Sequence, residues 1–214
     1  MRKTKEEMLL TRERILKAGF ECFYNNGYEQ TSLAAIAQAA GVTRGAIYWH
    51  FEDKKALFRA VVDYNLLRGD ITGYGRGLPT EMAYTDRLAE MFWYALDNNP
   101  HVEFIFKIMN FAASHEEFSD VVEKIQAIKR KLWEFIDVET KVYMQMYGKA
   151  PQGTECMAST LSLMFEGMFL TKNIQVGIKL DKEHVYKYTS LITAALIFEA
   201  EPQRWEKMLD RIIS

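Results

Sequence analysis

The sequence is short of everything that staples, punctuates or anchors a chain. It has two cysteines, Cys22 and Cys156, far apart and without a C-x-x-C neighbour. That excludes a disulfide framework and a cysteine-built metal module, and predicts a reduced, cytoplasmic protein. No apolar run approaches the roughly 20 residues a bilayer-spanning helix needs. The longest, Leu191 to Phe198, falls far short, so no membrane partner is expected. Basic residues near the start have no apolar segment behind them, and no signal peptide is expected. His101, His115 and His184 stand alone, without metal-ligand spacing. There is no H-E-x-x-H, no G-x-S-x-G and no Gly-Lys-Ser/Thr phosphate loop. Neither a metal nor a cofactor is therefore expected, nor catalytic residues, and a helical enzyme is the weaker alternative reading.

Prolines are scarce as well. Pro79, Pro100, Pro151 and Pro202 all fall between apolar-periodic segments, where a residue that lacks an amide donor and clashes with the preceding turn does no harm. No alternating β pattern lies between them. The chain is predicted to be all-α, with nine or ten helices.

What is present is unevenly distributed. The formal net charge is −2. Residues 1–68 carry 11 Lys and Arg against 8 Asp and Glu, or +3, and the remainder 16 against 21, or −5. A basic first third on an acidic body points to one end that meets a polyanion.

A first helix is predicted from about Thr4 to Asn25, with Ile15, Gly19, Cys22 and Phe23 at helical spacing and Asn26-Gly27 as its stop. Thr31 or Ser32 caps a second, whose buried stripe is Leu33, Ile36, Ala37 and Ala40. Gly41 supplies a left-handed turn, Val42 fills the angle, and Thr43 caps a third helix over Arg44 to Phe51. There Ile47 and Phe51 face inward. Arg44, Gly45, Ala46, Tyr48, Trp49 and His50 are left on the outer and flanking faces, where an exposed Tyr-Trp pair asks for a partner. The motif, 32–51, reads as a helix-turn-helix.

A fourth helix follows Glu52-Asp53, with Leu57, Phe58, Val61, Val62 and Leu66 inward. The glycine-rich stretch Gly69 to Pro79 is expected to be a mobile loop and the boundary between a DNA-binding domain, 1–68, and a larger helical domain, 69–214. Helices are predicted there over about 81–98, 101–114, 116–147, 154–177, 184–200 and 202–213. The third has an apolar stripe from Phe118 through Ile125, Leu132 and Ile136 to Val142, Tyr143 and Met146. The segments 154–177 and 184–200 are expected to pair with their symmetry mates in a homodimer.

From Leu33 to Phe58 the chain resembles the TetR family of transcriptional regulators. The residues that carry the likeness are Thr31-Ser32, Ile36-Ala37, Ala40-Gly41-Val42, Gly45, Ile47-Tyr48, His50-Phe51, Lys54 and Leu57-Phe58. The run Ala-Gly-Val-Thr-Arg-Gly-Ala-Ile-Tyr-Trp-His-Phe, with the opening Arg-Lys-Thr-Lys, is similar to AcrR-type repressors of multidrug efflux pumps. The resemblance covers about the first third. It implies a two-domain, all-helical homodimer, with 69–214 as the effector-binding and dimerisation domain, that blocks transcription at a palindromic double-stranded DNA operator until an apolar or cationic small molecule releases it. Control of lipid or other metabolism is the alternative within the family.

Phosphate contacts supply affinity and base edges supply sequence preference. Arg44 is the candidate reader of a guanine through O6 and N7, Gly45 lets the backbone approach the groove, and Ala46 is suited to a thymine methyl. Thr43, Tyr48, Trp49 and His50 are expected at phosphates or groove walls, matching residue types the family uses. Lys54, Thr31 and Ser32 are expected to join helix amides at phosphates, with Lys3 and Lys5 as a basic arm. For the effector, Trp93, Phe104, Met109, Phe111, Met144, Phe165 and Phe169 are candidate pocket residues, with Asn110, Gln145 and Glu166 as polar handles. Glu166, if buried, would point to a cation.

Overall fold

The computed structural model describes residues 4–97, 99–146, 154–174 and 180–198. Among these it contains ten α-helices, one 3-10 turn and no strand. The predicted helix 202–213, Pro151, Pro202 and Lys3 lie outside the described residues. Contacts divide the chain into two compact units, Met1–Gly69 with Pro100–Gln126, and Asp70–Asn99 with Ala127–Ser214.

In the first unit α1 (Lys5–Gln30) begins with a reciprocal cap: Thr4 Oγ1 accepts from the Glu7 amide and the Glu7 carboxylate accepts from the Thr4 amide. Gly27 interrupts it at φ 75°, so the regular helix stops where Asn26-Gly27 predicts. Ile15, Gly19 and Phe23 are buried, whereas Cys22 is only half-buried. Short helices α2 (Leu33–Ala40) and α3 (Arg44–His50) follow, then α4 (Lys54–Arg68), which buries Leu57, Phe58, Val61, Val62 and Leu66. Gly19 is a packing requirement, because a Cβ there would lie 2.9 Å from Val61 Cγ2.

This unit also takes in α7 (Pro100–Ala113), the 3-10 turn Glu116–Phe118 and the start of α8 (Ser119–Met146). The boundary expected at residue 68 is therefore interrupted in sequence. The reason is aromatic packing. Phe104 meets Phe20 edge-on at 5.4 Å, and Phe111 and Phe118 close over Phe58 at 6.0 and 5.1 Å. Charged groups border the same contact: Arg59 Nε donates to both oxygens of Asp120 at 2.9 and 3.1 Å, Lys55 pairs with Glu117 and Lys124 with Asp63.

In the second unit the expected loop Gly69–Pro79 is instead largely helical. α5 (Ile71–Arg76) starts at Asp70, whose carboxylate accepts from the Thr72 amide at 3.0 Å and its hydroxyl at 2.6 Å. Gly75 is there for closeness, since a Cβ would fall 2.4 Å from Met91 Sδ on α6 (Tyr84–Leu96). A glycine-rich composition suggests flexibility, but here a buried glycine brings two helices together. The later part of α8 buries Leu132 and Ile136, but its stripe ends early, with Val142 and Met146 exposed. α9 (Thr154–Ile174) meets it through Trp133 Nε1, which donates to Ser159 Oγ at 3.1 Å, and α10 (Lys182–Phe198) packs on α6 and α9.

Candidate nucleic-acid interface

The turn between α2 and α3 is built from backbone needs. Ser32 and Thr43 adopt extended backbone before their helices, and their side-chain oxygens accept from the Ala35 and Ala46 amides at 3.1 and 3.2 Å. Each hydroxyl keeps its own hydrogen available for a further acceptor. Gly41 takes the left-handed conformation expected of it, φ 61° and ψ 40°.

From α1, Arg14 Nη2 donates to the Ala40 carbonyl at 2.6 Å and the Gly41 carbonyl at 3.2 Å. A guanidinium thus occupies the negative end of α2 and ties the turn to α1. Arg12 places its guanidinium 5.3 Å from the centre of the Phe51 ring, just past α3. Neither role is legible in the sequence, because the partners lie 26 or more residues away and no spacing rule links them.

Ile47 and Phe51 are buried and Val42 is half-buried, as their inward assignment requires. On the opposite side Tyr48 is 47% and Trp49 67% exposed. Arg44 is exposed too, and its Nη2 donates to the Tyr48 hydroxyl at 3.0 Å with the guanidinium 5.5 Å from the ring centre. Gly45 is exposed, and a Cβ there would meet only Thr43 Oγ1, at an ordinary 3.8 Å. Packing within the chain does not require glycine at this position. Ala46 and His50 are half-buried, His50 edge-on to Trp49 at 4.8 Å. Arg44, Gly45, Tyr48 and Trp49 thus form one outward face two turns long.

Thr31 does not join it. It is 3% exposed, and its hydroxyl is turned inward to the carbonyls of Gly27 at 2.7 Å and Cys22 at 3.1 Å. Its proton is spent closing the chain after Gly27, and Ser32 alone does the capping. Lys54 stands at the first turn of α4, half-buried, donating to the Glu29 carbonyl at 3.3 Å with its ammonium 4.2 Å from the Tyr28 ring centre. Burial lowers its pKa against the opposing pull of Glu29. Lys5 is exposed at the start of α1.

The candidate pocket residues fall in both units. Phe104, Met109, Asn110 and Phe111 belong to the first unit, where Phe104 is fully buried, Phe111 stacks near His115 at 4.2 Å and Asn110 is exposed. In the second unit Phe165 stacks on Phe92 at 5.1 Å, Met144 and Phe169 are buried and Gln145 is exposed. Glu166 is paired with Lys129 at 2.7 Å, so its charge is already answered within the chain. Most of these side chains serve the helical core, which needs apolar groups at the same spacing as a pocket would. Trp93 differs: it lines a cleft of about 490 Å³ with Tyr74, Glu90, Tyr94, Asp97, Asn99 and Lys182. Among the described residues no group of His, Cys, Asp and Glu is placed to hold a metal ion, and no helix is long and apolar enough to cross a membrane.

The family model for bacterial regulatory proteins of the tetR family matches residues 15–61, a span that contains α2, α3 and the first half of α4. Among curated proteins, the regulator TtgR of Pseudomonas putida is 52% identical over 63 residues, 29% of this chain and 30% of TtgR. AcrR of Shigella flexneri is 55% identical over 60 residues, 28% of each chain. The match thus spans about three tenths of the relatives' length. Among solved structures, a TetR-family regulator from Cytophaga hutchinsonii aligns with TM-score 0.70 at 19% identity, covering 90% of this chain and 98% of its own. NalD, the secondary repressor of the MexAB-OprM multidrug efflux pump in Pseudomonas aeruginosa, aligns with TM-score 0.62 at 25% identity over 86% of this chain and 96% of its own.

Proposed function

This chain belongs to the TetR family of bacterial regulatory proteins, and on that premise we propose that it is a ligand-responsive repressor that binds a palindromic operator as a homodimer and controls a multidrug efflux operon. The observation that carries the DNA reading is the outward face of α3. Its arginine, glycine, tyrosine and tryptophan are exposed together, while the inward residues of the same helix complete the core. Arg44 reads a guanine, with Tyr48 holding its guanidinium ready. Gly45 and Ala46 admit the groove, and Ser32, Thr43, Trp49, His50 and Lys54 meet phosphates or the groove wall. A short recognition helix reads few bases, so two copies at a fixed spacing are needed for useful specificity.

The dimer is supported by α9, where Leu163 is 69% and Leu170 52% exposed, with the exposed Gly167 between them and nothing within 4 Å of its Cβ position. An apolar stripe with a glycine in it suits close helix pairing with a second copy. Efflux control is supported by the likeness over most of the chain to NalD, the repressor of a multidrug efflux pump.

Release from the operator follows from linkage. A ligand that binds a DNA-incompatible state better lowers operator affinity, and the operator lowers ligand affinity by the same factor. The test is to map the fragments of the source genome that the purified chain retains, with Arg44→Ala as control. Retention of a palindrome beside membrane-transporter genes supports the proposal. Retention of promoters of acyl-CoA enzymes instead would move it to metabolic control, and indiscriminate retention of all fragments would remove it.

A further inference from the structure

Within the first unit, the last turn of α1 places Glu29 beside Lys54, the candidate phosphate contact at the start of α4. The Lys54 ammonium donates to the Glu29 backbone carbonyl at 3.3 Å and lies 4.2 Å from the Tyr28 ring centre. It is thus held at the root of the Glu29 side chain, whose carboxylate is exposed. An exposed carboxylate takes up or releases a neighbouring ammonium at little cost.

His115, between α7 and the 3-10 turn, faces the same carboxylate: Nε2 lies 3.9 Å from Glu29 Oε1. Its other nitrogen, Nδ1, is 2.8 Å from the Phe111 carbonyl. A carbonyl oxygen only accepts, so Nδ1 carries the proton and the neutral ring turns a bare Nε2 to Glu29. Lone pairs then face each other and no bond forms. A proton on Nε2 converts the contact into a charge-assisted hydrogen bond. Phe111 at 4.2 Å and Phe118 at 6.4 Å hold the ring in this orientation.

The other charged groups around this contact are engaged. On α4, Asp53 accepts from the Ala56 amide at 2.7 Å and Arg59 is paired with Asp120. In the 3-10 turn Glu117 is paired with Lys55 at 3.3 Å; that bond first, and His115 in the same direction, hold its carboxyl below the usual range. On α1, burial and then Glu29, Asp53 and Glu117 raise the Tyr28 phenol, against the pull of Arg59, so it stays neutral. Glu29 is left as the carboxylate that can change partner.

We propose that Glu29 sets the affinity of the nucleic-acid interface: its carboxylate competes with a DNA phosphate for Lys54, and protonation of His115 draws it away, so that acid tightens DNA binding. With His115 neutral, Glu29 answers Lys54 and repels the phosphate. With His115 protonated, Glu29 closes on the imidazolium and leaves the ammonium to the phosphate. This rests on the reading of Lys54 as a phosphate contact. Such a contact carries no base preference, so the effect falls on affinity and not on sequence.

Dissociation constants for the retained operator fragment and for a random duplex, read by fluorescence anisotropy at fixed salt from about pH 8 to about pH 6, test it. At the upper pH, Glu29→Gln should bind both duplexes about threefold more tightly than the unsubstituted chain, and His115→Gln should match that chain. Toward the lower pH the unsubstituted chain should tighten about threefold more than either variant. Combined with Lys54→Met, Glu29→Gln should no longer tighten binding. A pH response undiminished in either variant, or a gain from Glu29→Gln that persists without Lys54, overturns the proposal. The two duplexes separate this proposal from the operator reading. Operator binding with no response at Glu29 strikes this proposal alone. The expected responses with no palindrome preferred strike the operator reading alone, and binding to neither duplex removes both.

Discussion

The two compact units spend their side chains differently. In the first, almost every distinctive residue is engaged internally. Arg14 holds a turn, Thr31 closes a chain reversal, and Phe58 sits among Phe23, Tyr28, Phe111 and Phe118. The outward face of α3 departs from this, as do the exposed Leu9, Leu10 and Leu67, and it alone gathers an arginine, a glycine and two aromatics on one short helix. In the second unit aromatics and charges are spread over several helices, and the cleft is assembled from residues up to 108 positions apart, Tyr74 to Lys182. A function held on two consecutive helices leaves a dense local signature. A cleft gathered from distant elements leaves none, because spacing encodes only neighbours along a helix.

The largest effect that would sharpen this contrast is Phe58→Ala. Truncating a fully buried ring should cost about 3–5 kcal/mol, read from chemical denaturation. Leu163→Ala, on the exposed stripe of α9, should leave protomer stability nearly unchanged and raise the dimer dissociation constant, read by sedimentation. If Leu163→Ala destabilised the protomer as Phe58→Ala does, the division into spent and unspent residues would fail.

Next is Arg44→Ala, expected to cost about 1–3 kcal/mol of operator affinity and to relax preference at one base pair per half-site. A uniform loss over all sequences would make Arg44 a phosphate contact. Arg14→Met should also weaken operator binding, by loosening the turn, yet leave the salt dependence unchanged. A phosphate contact would instead flatten the slope of log affinity against log salt by about one unit.

Gly45→Ala has a smaller and two-signed effect. Stability should rise by up to about 1 kcal/mol, since alanine is the better helix former and its methyl meets nothing closer than 3.8 Å. Operator affinity should fall, because the same methyl stands where the groove approaches. Unaltered affinity would remove Gly45 from the interface.

The smallest effect concerns pH. Burial first, then Arg68, holds the His101 imidazole below its usual range, against the opposing pull of Glu21. His101 Nδ1 lies 2.6 Å from Asn65 Oδ1 and its ring stacks on Phe20 at 5.0 Å. A base with a depressed folded-state pKa contributes no penalty while both states are neutral, above about pH 6.5. As pH falls through the unfolded value toward the lower folded value, the unfolded chain takes the proton first, and stability is lost. The denaturation midpoint should therefore drop between pH 7.5 and 5, and drop less in His101→Gln.

The all-helical fold is legible because periodicity and proline placement agree along the chain. The inward and outward faces of α3 are legible for the same reason. Three features are not, each for a physical cause. Composition makes Gly69–Pro79 look like a loop, but Gly75 is small to admit Met91 and Asp70 caps a real helix. Thr31 and Ser32 look alike as phosphate contacts, whereas the Thr31 hydroxyl bonds the chain behind it. Effector residues can be chosen only by type, and a core and a pocket draw on the same types. Arg14 and His115 escape any spacing rule because each faces a partner that only folding brings near.

The outward face of α3 has one more consequence. Arg44, Gly45, Tyr48 and Trp49 hold up no part of the core, so exchanging them should alter which promoter is occupied without altering whether the chain folds. On the proposed reading, copies of such a chain would acquire new target genes by a few substitutions on two helical turns, while Ile47, Phe51 and Arg14 stay as they are.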